Sequence, residues 1–163
     1  MEKLSYRPFT DEDLPVVEQW FDDTGTKKYL GNGEWPRRLL KIAKIVPGTE
    51  FKNKKVKSRQ PLLTIMEEKP IALIDLETYN DGTASLALVV APEMRGKGIS
   101  TRIHKDIWGI PEMTGINKII GGIEPANVAM ISSLKKAGAK ISKEINAEGY
   151  IVTEQNRPAG ERE

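Results

Sequence analysis

A chain of 163 residues, 39% hydrophobic and 29% charged, suits one compact α/β domain with its own core. Without cysteine there are no disulfides, thiolate-bound metals or cysteine nucleophile, and a single histidine, His104, leaves no histidine cluster for a metal. The net charge of +2 does not point to nucleic acid, and neither a membrane span nor a signal-like N-terminal segment is visible, so a cytoplasmic protein without metal or membrane partner is expected.

Leu4 to Phe9 predicts a short strand. Thr10 then offers an N-cap hydroxyl, and Asp11, Glu12 and Asp13 place negative charge in a first helical turn. Leu14, Val17 and Phe21, with Val16 and Trp20 beside them, form the apolar face of that helix. Thr24 to Gly33 reads as a loop. A second helix opens at Trp35-Pro36, carries Trp35, Leu39, Ile42 and Val46 on one side, and ends at Pro47-Gly48. Phe51 to Arg59 is charged and expected to be irregular. The basic residues from Arg37 to Arg59 and the acidic ones before them read as two solvated faces.

Strand patterns follow. Pro61 to Met66 and Ile71 to Glu77 flank a turn at Glu67-Glu68-Lys69-Pro70, and Asn80-Asp81-Gly82 marks a hairpin. Ala84 to Ala91 is nearly all apolar and predicts a strand buried on both faces. Ile99, Ile103, Ile107 and Ile110 recur at helical spacing. Lys118 to Ile123 is a strand, Asn127 to Ala137 a helix stopped by Gly138, and Lys140 to Ile145 with Tyr150 to Glu154 a closing hairpin. Residues 1–163 thus form a single domain, with a frayed tail over 155–163. The crossover through the Ile99 helix makes the Ala84 and Lys118 strands parallel neighbours.

The densest chemical signal is Val90-Ala-Pro-Glu-Met-Arg-Gly-Lys-Gly-Ile-Ser-Thr101. A strand runs into a glycine turn that opens a helix, which aims free backbone amides and the positive end of a helix dipole at one point. Arg95 and Lys97 add charge, and Gly96 and Gly98 allow close backbone approach, so a phosphate or pyrophosphate is the natural ligand. The spacing is neither GxxxxGK[ST] nor GxGxxG.

This segment resembles motif A of the GCN5-related N-acetyltransferase (GNAT) superfamily, [RQ]-x-x-G-x-[GA], with Arg95 and Gly98 matching and Ser100 at the usual Gly or Ala. Glu124-Pro-Ala-Asn127 through Gly138 resembles motif B, nearest to the ribosomal-protein-acetyltransferase-like branch, and Tyr6 to Asp13 resembles the family's opening strand and helix start. The resemblance implies a mixed, mostly antiparallel sheet of about six or seven strands, its parallel central pair splayed at the acyl-CoA site, flanked by about four helices. It implies acetyl-CoA as cosubstrate, an amine as acceptor, and a monomer or homodimer. Carried over, the amides of Arg95, Gly96, Lys97, Gly98, Ile99 and Ser100, with Thr101 close by, hold the pyrophosphate. The backbone of Leu88, Val89 and Val90 pairs with the pantetheine arm, and Asn127 bonds it or caps its own helix. The family's usual acid tyrosine is replaced by Leu134, with Ser132 and Ser133 nearby, and the usual Phe after the closing Gly is Ala139.

Attack of an amine on a thioester needs a neutral amine, hence a base, because a free alkylamine has a pKa of about 10.4. Asp75, Glu77 and Glu124 are the candidate bases; Asp75 and Glu77 share one strand face, and Glu124 ends the next strand. A backbone N–H near Val89 is the expected oxyanion donor. His104, between Arg102 and Lys105, reads as a surface residue. Trp20, Phe21, Tyr29 and Trp35, with Asp22, Asp23 and Glu34, lie where the family's acceptor wall would be. The competing class is a CoA-binding module without catalysis. A ribosome-associated protein using the basic stretch is weaker, because no aromatic residues are interleaved there.

Overall fold

The computed structural model describes residues 2–24, 26, 33–42, 50–51 and 54–159. In chain order these form β1 (Ser5–Pro8), α1 (Leu14–Gln19), α2 (Trp35–Ile42), β2 (Glu50–Phe51), β3 (Lys54–Met66), β4 (Lys69–Tyr79), β5 (Thr83–Val90), α3 (Ile99–Asp106), β6 (Lys118–Ile123), α4 (Val128–Lys136), β7 (Lys140–Ile145) and β8 (Ile151–Asn156). Among the described residues they make one sheet in the order β1-β3-β4-β5-β6-β8-β7, with the short β2 paired to the start of β3. All pairings are antiparallel except β5–β6. The parallel pair is the one the crossover rule requires.

Each face of the sheet carries a core. On one face Ile103 and Ile107, at helical spacing on and just beyond α3, pack with Trp108 against Ile74, Leu76, Leu88 and Ile119. On the other, Val17, Trp20 and Phe21 with Leu39 of α2 cover Leu63, Leu73 and Val89. Removing any of these buried side chains to Ala costs about 2–5 kcal/mol. Asp11–Asp13 forms a 3-10 turn ahead of α1, fixed by Asp13 rather than by a capping Thr10 hydroxyl: the Thr10 amide donates to Asp13 Oδ2 at 3.0 Å, and Arg7 clamps the same carboxylate from both guanidinium ends. That charge-assisted pair, by hydrogen bonding first, holds the Asp13 carboxyl below its usual range.

Five expectations need correction. Within the expected irregular stretch Phe51 to Arg59, Lys54 to Arg59 is strand, residues 52 and 53 lying outside the described residues. Its charges have lateral partners that let β3 begin at Lys54: Lys54 reaches Asp81 and Arg59 reaches Asp75 and Glu77. The expected sheet of six or seven mostly antiparallel strands with one parallel pair stands, its ordered path holding seven, and the short β2 pairs with the extended start of β3 off that path. The chain does not fray at Gln155, which pairs with Ile119 and donates its side-chain amide to the His104 carbonyl at 2.8 Å, while the Arg157 guanidinium donates to the carbonyls of Ile116 and Trp108. Residues 160–163 lie outside the described residues. Ile110 leaves the helix line, because α3 ends at Asp106 and a tight 3-10 turn follows over 107–109. Val16 is 45% exposed, the arc of α1 that faces the sheet being narrower than its apolar run. Ala84 to Ala91 is not buried throughout, since Ala87 is exposed where β5 loses a neighbour. The expected helix end at Val46 and Pro47-Gly48, Tyr29, and most of the Thr24 to Gly33 loop lie outside the described residues.

Candidate active site

Strand β5 is hydrogen-bonded on both sides only at its beginning. Thr83 pairs with Lys118 and Ala84 with Ile119, and beyond that the parallel strands part. On its other side β5 stays in register with β4 from Thr78↔Ala84 to Ala72↔Val90. The Ala91 amide donates to the Ile71 carbonyl at 2.8 Å. Antiparallel ladders alternate, so the peptide groups of Val89 and Ala87 face β4, and those of Leu86, Leu88 and Val90 face the gap toward β6. Val89 is therefore not the free donor its position in the sequence suggested, because its N–H belongs to the β4 ladder. Leu88 and Val90 present the open edge.

At the end of β5 the chain turns through Gly96 (φ 75°) and Gly98 (φ 76°) into α3. Both backbones are left-handed, which explains why glycine stands there. A Cβ built on either would meet nothing within 4 Å, so the turn presents bare peptide to one open side. Ile99, Ser100 and Thr101 are the first turn of α3, whose amides have no carbonyl four residues back within the helix. Ile99 buries its side chain in the core and offers only its backbone. A cavity of about 530 Å³ lies against this turn, bounded by the end of β5, the Arg95 to Thr101 segment and one face of α4. Lys97 is exposed and stands outside its lining.

Arg95 does not point its side chain at the turn. Its guanidinium donates to Asp23 Oδ2 at 2.5 Å and to the Thr26 hydroxyl, and the Thr26 amide donates to the same Asp23 carboxylate at 3.0 Å. The glycine turn is thus tied to the segment after α1. The guanidinium, chiefly by hydrogen bonding, lowers the Asp23 pKa.

A second cavity of about 210 Å³ occupies the gap itself, between Leu86 to Leu88 and Gly121 to Glu124, with His104 and Leu134 among its lining. It shares Leu88, Asn127 and Met130 with the larger one. Asn127 caps α4, its side-chain oxygen accepting from the Met130 amide at 3.3 Å. His104 is not a surface residue: it is 3% exposed, and its Nδ1–H donates to the Ser100 carbonyl at 2.8 Å. Burial pushes its pKa down, the hydrogen bond opposing, so at neutral pH the imidazole is uncharged with Nε2 as acceptor.

The three candidate bases fall in two places. Asp75 and Glu77 sit on the α1–α2 face of β4, opposite Ala87 and Ser85. Arg59 spans them, at 2.8 Å to Asp75 and 3.0 Å to Glu77, and the Tyr79 hydroxyl donates to Glu77 at 2.6 Å. Burial, followed by that bond, pushes the Tyr79 pKa up. Neither carboxylate lines either of these two cavities. Glu124 is exposed at the end of β6 and lines the gap.

Residues 3–140 match the family model described as the acetyltransferase (GNAT) domain. The chain belongs to the GNAT family. It is accordingly an acyltransferase of the GNAT type. No curated protein sequence matches it. Among solved structures, an aminoglycoside acetyltransferase AAC(6')-Ib in complex with coenzyme A superposes with a TM-score of 0.72 at 16% identity, over 95% of each chain. The aminoglycoside N(6')acetyltransferase of Legionella pneumophila gives 0.72 at 18%, over 96% of this chain and 93% of that one. The GNAT domain of S. lividans PAT gives 0.69 at 17%, over 95% and 96%. These likenesses establish a shared fold.

The GNAT motif residues Arg95, Gly96, Gly98, Ile99, Ser100, Thr101 and Asn127 are gathered on one cavity with Leu88, Val89 and Val90. Sequence reasoning noted Ser132 and Ser133 only as neighbours of the missing acid and missed Ala129 and Lys136; the four together are the α4 face that lines the same space. Their spacing of three and four residues is the available signal. It places Ser132 and Ser133 on the larger cavity rather than in the gap, away from Leu134. Among the described residues no cluster of His, Asp and Glu could hold a metal, and no helix is long and apolar enough to cross a membrane.

Proposed function

We propose that this GNAT protein transfers an acetyl or similar acyl group from coenzyme A to a primary amine by direct attack on the thioester. The observation that carries this reading is the adjacency of the two cavities: the pocket at the glycine turn and the gap beside the free edge of β5 share Leu88, Asn127 and Met130 in their linings. The pyrophosphate lies on the amides of the turn and the first turn of α3, with Lys136 at the side. The pantetheine arm pairs with the peptide groups of Leu88 and Val90 as an added strand, which satisfies donors and acceptors that β6 leaves free.

Glu124 is the base that supports the chemistry best. It is the one of the three candidate carboxylates that lines the gap, whereas Asp75 and Glu77 are held by Arg59. Glu124, directly or through water, takes the proton of the attacking amine. The C–N bond forms, the Leu88 N–H stabilises the oxyanion, and the C–S bond breaks. The coenzyme thiolate then takes up a proton from water or from Glu124, because Leu134 has none to give. Asp75 and Glu77 with Arg59 form a polar floor carrying one net negative charge toward an amine. No residue forms a covalent intermediate.

The test is release of coenzyme thiol on mixing the protein with acetyl-CoA and a panel of amines and peptides. Release that requires one acceptor and falls in Glu124→Gln supports the reading. Tight CoA binding with no turnover over a broad panel supports a binding module, and absence of CoA binding contradicts both.

A further inference from the structure

The smaller cavity is deeper than an acetyl group needs. It begins where Ala84 and Ile119 cease to pair and runs to Glu124, with a volume of about 210 Å³. That is the space of about seven water molecules, and a terminal methyl takes about one. Its sides are Leu86, Ile119, Ile123 and Leu134, while Gly121 and Gly122 send no side chain into it. Among the described residues no lysine or arginine lines it. The polar side chains that line it are the uncharged His104, Thr153, Asn127 and Tyr150, together with the Glu124 carboxylate, and none of them is a cation, so an acyl chain ending in a carboxylate would be buried without a counter-ion.

We propose that the acyl donor of this enzyme carries an uncharged chain of three or four carbons seated in this cavity. The inference rests on the larger cavity being the coenzyme A site. The transfer balances as for acetyl: the amine nitrogen bonds to the acyl carbon, the C–S bond breaks, and the amine proton ends on the thiol. Leu134, where a tyrosine would narrow the gap, is part of what leaves the room.

Calorimetric titration of the full chain with CoA, acetyl-CoA, propionyl-CoA, butyryl-CoA and succinyl-CoA tests this without knowledge of the acceptor. Affinity should tighten about fourfold for each methylene from acetyl to butyryl, the gain from burying a CH₂, and succinyl-CoA should bind no better than CoA. Leu134→Phe, which fills the cavity, should abolish the advantage of butyryl-CoA over acetyl-CoA. A series that is flat or weakens from acetyl to butyryl overturns the proposal, as does a folded Leu134→Phe that keeps the advantage. The wild-type series decides by itself should that variant not fold. If CoA itself fails to bind, the coenzyme reading falls together with this one; if CoA binds and the series is flat, only the chain-length proposal falls.

Discussion

The glycine turn after β5 and the charge ladder on β4 stand on adjacent strands but are built from different material. At the turn the binding groups are peptide amides, fixed by two left-handed glycines and the first turn of α3, and side chains matter little: Arg95 bonds elsewhere and Lys97 faces solvent. On β4 the polar groups are side chains, and they are committed to one another, with Arg59 between Asp75 and Glu77 and Tyr79 on Glu77. A site made of backbone keeps its shape in the absence of ligand. A site made of paired carboxylates is stable, but its oxygens are already engaged by Arg59 and Tyr79. That difference supports the proposal that the coenzyme sits at the turn and that the base is Glu124, which has no such partner among the described residues.

Substitutions can break or sharpen this contrast. Glu124→Gln should lower kcat by about 100-fold, the scale of a lost general base, whereas Asp75→Asn should lower it less than about tenfold; single-turnover kinetics on both, with the acceptor in hand, would reverse the assignment if the order inverts. At the turn, Gly98→Val should weaken CoA binding by about tenfold or more, because it forces a β-branched residue into a left-handed backbone and places bulk on the ligand side; equilibrium titration reads this. Arg95→Ala should weaken CoA far less, since its guanidinium serves Asp23 and Thr26. Arg59→Ala should destabilise the fold by about 2 kcal/mol in urea melts, leaving two half-buried carboxylates without a cation. The smallest effect belongs to His104. Its pKa is depressed in the folded state, so below about 6.5 the unfolded chain binds more protons and stability falls with pH. It is fully present above that value, and a melting series from pH 7.5 to 5 should lose part of its slope in His104→Gln.

The turn was legible in the sequence because glycine at a left-handed position and the strand-to-helix change are local signals. The parallel neighbours were legible because a helical crossover has one hand. Side-chain commitments were not. Nothing local to Lys54 and Arg59 says that Asp81, Asp75 and Glu77 will sit beside them, so a strand read as an irregular loop. His104 lies between charged residues, yet it is four residues after Ser100 and three before Ile107, on the buried stripe of α3; its neighbours in sequence masked its neighbours in space. The direction of the Val89 N–H depends on the register with β4, which the chain alone does not disclose. Gln155 and Arg157 looked like a polar tail because their acceptors are carbonyls at the ends of other elements.

Amide-resolved NMR during titration with coenzyme A tests the central claim most directly. The account predicts that the largest shifts fall on Gly96 to Thr101 and on Leu88 and Val90, with the Asp75 and Glu77 amides nearly unmoved. Saturable binding that leaves the turn and the free edge of β5 unshifted would contradict it.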